Sequence, residues 1–389
     1  MASAEGVDMN KKPSVLVAMS GGVDSSVACQ LLLEAGYEVR GATIRTWDAG
    51  GCETQNSRSC CARDGIEDSR RVASKLGIPY YIFNFEREFR EHVIDYFKGE
   101  YLQGRTPNPC IACNEHVKFR LFLKRGQALG IDYMATGHYA QVEKDEASGR
   151  FLIREGVDTA KDQSYVLYGL DQDVLSRCVL PVGKYKKEEI RRIAGKLGLC
   201  NAAKPDSMEI CFVPKNDYRE FLQKAGMTEK PGAIRDTAGN ILGEHKGYFR
   251  YTIGQRRGIG LAAKEPLYVK SIHPETNEVV VGTKAEVFQN RFRVVDINWS
   301  IDFGTPSKSA GFRAGENEPR TFGRGTEVRT FHFDVKIRSN HKKAPAVVEC
   351  VDERTAEVSF AEPQDAVTPG QSAVFYDGPV VAGGGKIRL

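Results

Sequence analysis

Val15-Leu-Val-Ala-Met-Ser-Gly-Gly-Val-Asp-Ser-Ser-Val27 decides the fold of this chain. Val15 to Met19 is a short apolar run of β-favouring residues, too short for a helix, and predicts a buried strand. Ser20-Gly21-Gly22 breaks it. From Ser25 the helical spacing of Val27, Ala28, Leu31, Leu32 and Ala35 runs to a stop at Gly36. A strand, a glycine turn and a helix N-terminus make a geometry suited to an anion. The glycines let the backbone approach closely, the first amide N–H groups have no partner inside the helix, and the dipole adds roughly half a positive charge. Ser20, Ser25 and Ser26 add hydroxyl donors, and Asp24 is placed to hold Mg²⁺ against a phosphate. The alternative is an ordinary strand-to-helix turn with a serine cap.

Two familiar glycine loops are excluded: G-x-x-x-x-G-K-[ST] needs a lysine that the stretch lacks, and G-x-G-x-x-G is absent. SGGVDSS instead resembles the pyrophosphate loop of the PP-loop ATPases, which split ATP into AMP and pyrophosphate to activate an oxygen by adenylation. Downstream, strands over Glu38–Ile44, Pro79–Phe85 and Ile131–Thr136 alternate with helical patterns around Ile66–Leu76, Glu88–Phe97 and Val117–Leu129. That alternation predicts an α/β, Rossmann-like parallel sheet covered on both faces. Ligands then sit beyond the carboxyl ends of the strands, at the glycine loop, the stretch after Ile44 and Gly137-His138.

From about Val213 the texture changes to short alternating runs broken by Gly, Pro and Asn. The expected division is a catalytic domain over 1–212, a small β-rich central domain over 213–290 and a C-terminal β-barrel over 291–389. Residues 302–325, rich in Gly, Ser, Pro and charge, are expected to form a mobile surface loop. A chain of 389 residues fits two or three such units. No apolar run reaches the ~18–20 residues that cross a bilayer, and the first twelve residues resemble neither a signal nor a transit peptide. The expected location is the cytoplasm, without membrane attachment.

A net charge of +4 gives no global argument for nucleic acid, so any such argument is local. Lys184–Arg192 holds five bases, with a solvated helix face as the alternative; Gly247–Gly260 interleaves arginines with aromatics, with a β-hairpin surface as the alternative. Ten cysteines in a chain of this kind argue against a disulfide framework. Cys110 and Cys113 stand three apart in a proline-broken loop entering a helix, where a helix N-terminus favours thiolate. Cys211 lies far off in sequence. A buried apolar role, a structural zinc site, a sulfur relay and a three-thiolate iron–sulfur site compete for these thiols. Cys29, Cys178, Cys200 and Cys350 fit the buried role, and Cys52, Cys60 and Cys61 remain candidate zinc ligands.

TPNPCIACNEHVKF, ATGHYA, KDQSYVLYGL, DSMEICFV, IGQRRGIG and VTPGQSAVFYDG follow the glycine loop in that order. Together they resemble the tRNA-specific 2-thiouridylases over nearly the whole chain. The resemblance implies ATP contacts at Ala18, Met19, Ser20, Gly21, Gly22, Val23, Asp24, Ser25, Ile44 and Gly137. It makes Cys113 the nucleophile and Cys211 the persulfide carrier. It implies tRNA contacts at Asn108, Pro109, Cys110, His138, Lys161, Asp162, Gln163, Arg338, Ser339 and Gln371. Many members carry Asp where this chain has Cys110. With Cys110, Cys113 and Cys211 all present, the chain resembles the subgroup for which a [4Fe–4S] cluster has been proposed. The implied activity is ATP-dependent 2-thiolation of the wobble uridine, with a relay protein or cysteine desulfurase as sulfur donor. A thiolase for another base, a ligase or amidotransferase of the same loop, and a non-catalytic RNA binder are the alternatives.

Overall fold

The computed structural model describes residues 12–46, 63–206, 210–213, 217–301, 320–322, 326–365 and 367–389. Cys52, Cys60 and Cys61, and most of the 302–325 stretch, lie outside these. Arg320–Phe322, inside that expected loop, is instead a short strand paired with Thr326–Lys336.

The N-terminal region is built on a parallel sheet. β1 (Ser14–Ala18), β2 (Glu38–Arg45), β3 (Tyr80–Asn84) and β4 (Tyr133–Ala135) join Cys178–Val179 in the order β3-β2-β1-β4-(Cys178–Val179). Val15, Leu16 and Val17 are fully buried, as expected of a strand covered on both faces. The order reverses between β1 and β4, so the crevice at their carboxyl ends is the switch point where such sheets bind ligands. The glycine loop leaves β1 on one side of it and Gly137-His138 leaves β4 on the other. Helix α1 (Val23–Glu34) starts two residues earlier than its hydrophobic spacing indicates, with extended Gly22 as the N-cap.

A four-stranded sheet of Gly232–Arg235, Ile241–His245, Tyr268–His273 and Glu278–Gly282 forms the central unit. The C-terminal strands Gln289–Trp299, Thr326–Lys336, Ala344–Asp352, Thr355–Gln364, Ser372–Asp377 and Val380–Arg388 pair antiparallel. Gln289–Trp299 pairs with Val380–Arg388 and closes the barrel. One connection was not legible in the pattern. The hairpin Ala140–Lys144/Phe151–Glu155, in the middle of the catalytic region, extends the barrel sheet through Val380 opposite Arg154. A single apolar core accordingly runs from Leu16 and Phe122 through Phe212 and Phe249 to Val374 and Val381.

Candidate active site

The glycine loop is shaped by close backbone approach. Gly21 has φ +74°, and a Cβ there would lie 2.4 Å from the Gly65 carbonyl oxygen at the start of α2 (Arg63–Leu76). Gly137 is equally confined: its Cβ would come within 2.6 Å of the Ser25 amide nitrogen. Its missing side chain lets the end of β4 lie against the first turn of α1. The helical ladder begins with Ser26 N–H donating to the Gly22 carbonyl at 3.4 Å, so the amides of Val23, Asp24 and Ser25 precede the first rung. The Ser25 hydroxyl serves the loop itself, accepting from Ser20 N–H and donating to the Gly22 carbonyl, each at 3.2 Å. Met19 is stitched to β2 through Ala42 and Thr43, and Ile44, opposite Phe83, packs on the core below the crevice.

Asp24 has partners that its sequence position does not announce. Lys187 Nζ donates to both its oxygens, at 2.7 and 2.8 Å, and the Tyr139 hydroxyl donates to Oδ1 at 2.7 Å. Of about four lone-pair sites on a carboxylate, three are taken. A Mg²⁺ ion held by Asp24 requires Lys187 to leave first.

The cysteine loop lies at a junction of all three units. Asn108 caps the short helix Pro109–Ala112, its side chain accepting from the Cys110 amide at 3.1 Å. The helix continues as a wider π turn over Cys113–Leu121, a form frequent at functional sites. Cys113 is buried, Cys110 exposed and Cys211 half-buried against the same core as Cys113. The barrel grips the loop: the Pro369 carbonyl accepts from Thr106 N–H at 2.9 Å, and Gln371 Nε2 donates to the Thr106 carbonyl at 2.8 Å. The central unit closes the other side, where the Tyr248 hydroxyl donates to the Leu102 carbonyl at 2.9 Å and Pro274 abuts Gly104. Between them is a cavity of about 310 Å³ lined by Phe97, Tyr101, Thr106, Pro107, Asn108, Pro109, Ile210, Tyr218 and Gln371. It touches the residues just before Cys110 and just before Cys211, and its aromatic walls suit stacking on a base. Truncating the Gln371 clamp removes a bond worth about 0.5–1.5 kcal/mol. Gln371→Ala is expected to lower kcat/KM for RNA substrate by about 2- to 10-fold while ATP affinity stays unchanged, as steady-state kinetics and titration would read.

Other residues implied as RNA contacts are, except for Ser339, tied to partners within the chain. Lys161 pairs with Asp206 at 2.7 Å. Asp162 accepts from the amides of Gly156 and Ser164, and the Gln163 side chain accepts from Tyr139 N–H at 2.9 Å. Arg338 donates to the Ile253 carbonyl and to Thr368, joining barrel to central unit, while Ser339 is exposed beside it. Gly247–Gly260 is a turn-rich loop rather than the alternative hairpin, with Phe249, Tyr251 and Ile253 buried; Arg250 pairs with Glu229, and Arg256 and Arg257 point outward. Lys184–Arg192 is only partly a solvated face, since Lys187 is buried. The buried-thiol reading is met at Cys29 and Cys178, where burial pushes the pKa up to about 12, and at half-buried Cys350, pushed to about 11. Cys200 departs from it and is exposed.

His138 sits with Nδ1 2.7 Å from the Thr136 hydroxyl and its ring 5.5 Å from Phe119, on the Cys113 helix. Burial, then the Lys118 charge, pushes its pKa down to about 3. Burial and the stacked His92 push His116 to about 4. Unfolded histidines titrate near ~6.5, so between that value and the folded ones the unfolded chain binds more protons. The stabilisation from neutral burial is whole above about pH 6.5 and is lost as pH falls toward 4. Denaturant midpoints are expected to drop over that window, less steeply in His138→Gln, and neither ring is expected to add a step to activity between pH 7 and 8.

A parallel sheet with a lysine-free glycine loop at its switch point, joined to a β-barrel that grips a cysteine loop, defines a nucleotide-using α/β protein of the PP-loop class. Residues 13–215 match the tRNA methyl transferase HUP domain, 219–283 the tRNA methyl transferase PRC-barrel domain and 317–387 the aminomethyltransferase β-barrel domain. The tRNA-specific 2-thiouridylase MnmA of Carboxydothermus hydrogenoformans is 48% identical over 384 residues, covering 98% of this chain and 99% of the relative. That of Clostridioides difficile is 45% identical over 383 residues, with 98% and 99% covered. The U34-tRNA thiolase NcsA of Methanococcus maripaludis, 19% identical over 57% of this chain and 67% of its own, superposes with a TM-score of 0.33, a likeness too loose to carry an inference. The chain belongs to the tRNA-specific 2-thiouridylase family.

Sequence reasoning missed Lys187, Asp206, Asn201 and Tyr139 around the loop. Asn201 Nδ2 donates to the Gly21 carbonyl and the Ser26 hydroxyl, at 3.1 and 2.8 Å. Helix phase held a signal for Lys187, which shares a face with buried Ile190 and Ala194. Among the described residues no helix is long and apolar enough to cross a membrane.

Proposed function

We propose that the chain converts the wobble uridine of tRNA, position 34, to 2-thiouridine at the expense of ATP. The observation that carries this reading is the aromatic cavity at the three-unit junction, bordered by both cysteine segments and of a size for one extruded nucleoside. The uracil C2 oxygen is a poor leaving group. It attacks the α-phosphorus of ATP, the bond to the bridging oxygen breaks, and pyrophosphate departs with the electron pair. The unpaired amides at the start of α1 offset the developing charge. The terminal sulfur of a Cys211 persulfide then attacks C2 and AMP leaves. The Cys113 thiolate attacks the Cys211 sulfur, the persulfide S–S bond breaks, and 2-thiouridine is released. The resulting Cys113–Cys211 disulfide is reduced by an external thiol, and a relay protein or cysteine desulfurase reloads Cys211.

Asn108 holds the cysteine helix in register, Gln371 and Pro369 fix the loop before it, and Arg256 and Arg257 face outward where a phosphate backbone would pass. Units 1–212, 213–290 and 291–389 thus take activation, RNA contact and clamping of the cysteine loop. Cys110, Cys113 and Cys211 are also the donor chemistry of a three-thiolate [4Fe–4S] site. Among the described residues, however, no three His, Cys, Asp or Glu side chains are grouped to hold a metal. The relay needs only two thiols.

Reconstitution with tRNA, ATP and a persulfide donor tests the proposal. Formation of 2-thiouridine by nucleoside mass spectrometry, with tRNA-dependent release of AMP and pyrophosphate, is the expected result. Nucleotide binding without any thiolated base would overturn it. About four iron atoms per chain after anaerobic purification, lost in Cys110→Ser, would replace the relay by a cluster.

A further inference from the structure

The glycine loop contains no lysine, yet one reaches it from another helix. Lys187 opens the helix Lys187–Lys196, and its side chain is only 9% exposed. Its Nζ donates to both Asp24 oxygens, lies 2.7 Å from Asp206 Oδ1 and sits 5.6 Å from the Tyr139 ring centre. Asp206 also binds Lys161 at 2.7 Å and Arg191 at 3.3 Å. Among the described residues three cations, Lys187, Lys161 and Arg191, meet three carboxylates, Asp24, Asp206 and Asp158, beside a helix N-terminus that carries positive potential. Asp158 Oδ2 accepts from the Lys187 backbone N–H at 2.9 Å. A buried ammonium costs several kcal/mol to desolvate, and as scaffolding alone it would be matched by an apolar side chain. The side chains balance one another, and the helix N-terminus beneath them remains positive, so an anion seated on the loop meets this ammonium first. Asp24 is itself part of the loop, so the ammonium rests within one hydrogen bond of the cradle.

We propose that Lys187 is the cation for the β- and γ-phosphates of ATP and for the departing pyrophosphate, with Asp24 and Asp206 holding it in place while no nucleotide is bound. This rests on the reading of the glycine loop as an ATP cradle. A lysine is a flexible point charge with three donors, able to turn from carboxylate to phosphate without losing its proton. When the bond from the α-phosphorus to the bridging oxygen breaks, the electron pair passes to pyrophosphate and the ammonium offsets it. Nothing is oxidised or reduced.

The test is calorimetric titration of the full chain with ATP, AMP and inorganic pyrophosphate, without tRNA, for the natural chain, Lys187→Met and Lys187→Arg. Loss of a charge-assisted hydrogen bond is expected to weaken ATP and pyrophosphate by about 10- to 150-fold in Lys187→Met, with AMP unchanged. Lys187→Arg keeps the charge and is expected to recover part of the ATP-over-AMP preference; Lys187→Gln, without the charge, decides the matter if the methionine variant does not fold. An ATP-over-AMP preference equal to the natural chain's in a folded variant without the charge would overturn the proposal, because a lysine that only shapes the loop affects both nucleotides alike. A natural chain binding neither ATP nor pyrophosphate would overturn the cradle reading itself.

Discussion

With serine in place of Cys113 or of Cys211, 2-thiouridine formation is expected to fall by on the order of 1,000-fold or more. A serine hydroxyl neither carries a persulfide nor attacks one at neutral pH, while its size nearly matches the thiol it replaces. Cys113 is 5% exposed and packed in the main core, so the exchange changes reactivity far more than shape. Adenylation precedes sulfur transfer and uses neither thiol. Both variants are therefore expected to retain ATP affinity within about 2-fold and tRNA-dependent exchange between labelled pyrophosphate and ATP. Nucleoside mass spectrometry reads the first quantity and isotope exchange the second. Thiolation persisting in either variant would remove that cysteine from the chemistry. Loss of exchange as well would mean that the thiols also build the activation site.

Gly21→Ala is expected to weaken ATP by roughly 30- to 5,000-fold, through two costs that add. The left-handed backbone at φ +74° costs an L-residue about 1–2 kcal/mol. The new methyl would meet the Gly65 carbonyl at 2.4 Å and the Gly65 Cα at 2.5 Å, and crowding against backbone costs about 1–3 kcal/mol. The alanine chain escapes both costs only by moving the loop off α2, and a nucleotide that needs the loop as it stands must reverse that movement, so the strain is expected as lost affinity. Gly36→Ala separates the two costs. Gly36 also has positive φ, +86°, but nothing lies within 4 Å of its Cβ position. That variant is expected to lose about 1 kcal/mol of stability and no ATP affinity, as thermal melts and nucleotide titration would read.

The parts legible in the sequence were those written in local pattern. The strand Ser14–Ala18, its glycine break and helix α1 follow from apolar spacing over adjacent residues, and so do the alternating elements through β4. The cysteine pair reads as part of a loop leading into a helix, whereas the helix already starts at Pro109 with Asn108 as its cap. What escaped were contacts between residues distant in the chain. Lys161, Asp162 and Gln163 read as an exposed polar turn, and only the folded chain shows them bound to Asp206, Gly156 and Tyr139. A charged residue carries no periodic mark of its partner, so the ion pair of Asp24 with Lys187 has no signature in the sequence. The hairpin ending at Glu155 was invisible as part of the barrel for the same reason: its pairing strand begins at Val380.

That last pairing bears on the order in which the parts of the site are made. The Gly370–Gln371 turn that pins Thr106 is itself anchored by Ile387, whose N–H donates to the Gln371 carbonyl at 2.8 Å and whose carbonyl accepts from Gly370 at 3.1 Å. The glycine loop and its partners are all made by Asp206, whereas the turn that pins the residues before Cys110 is anchored only two residues from Leu389.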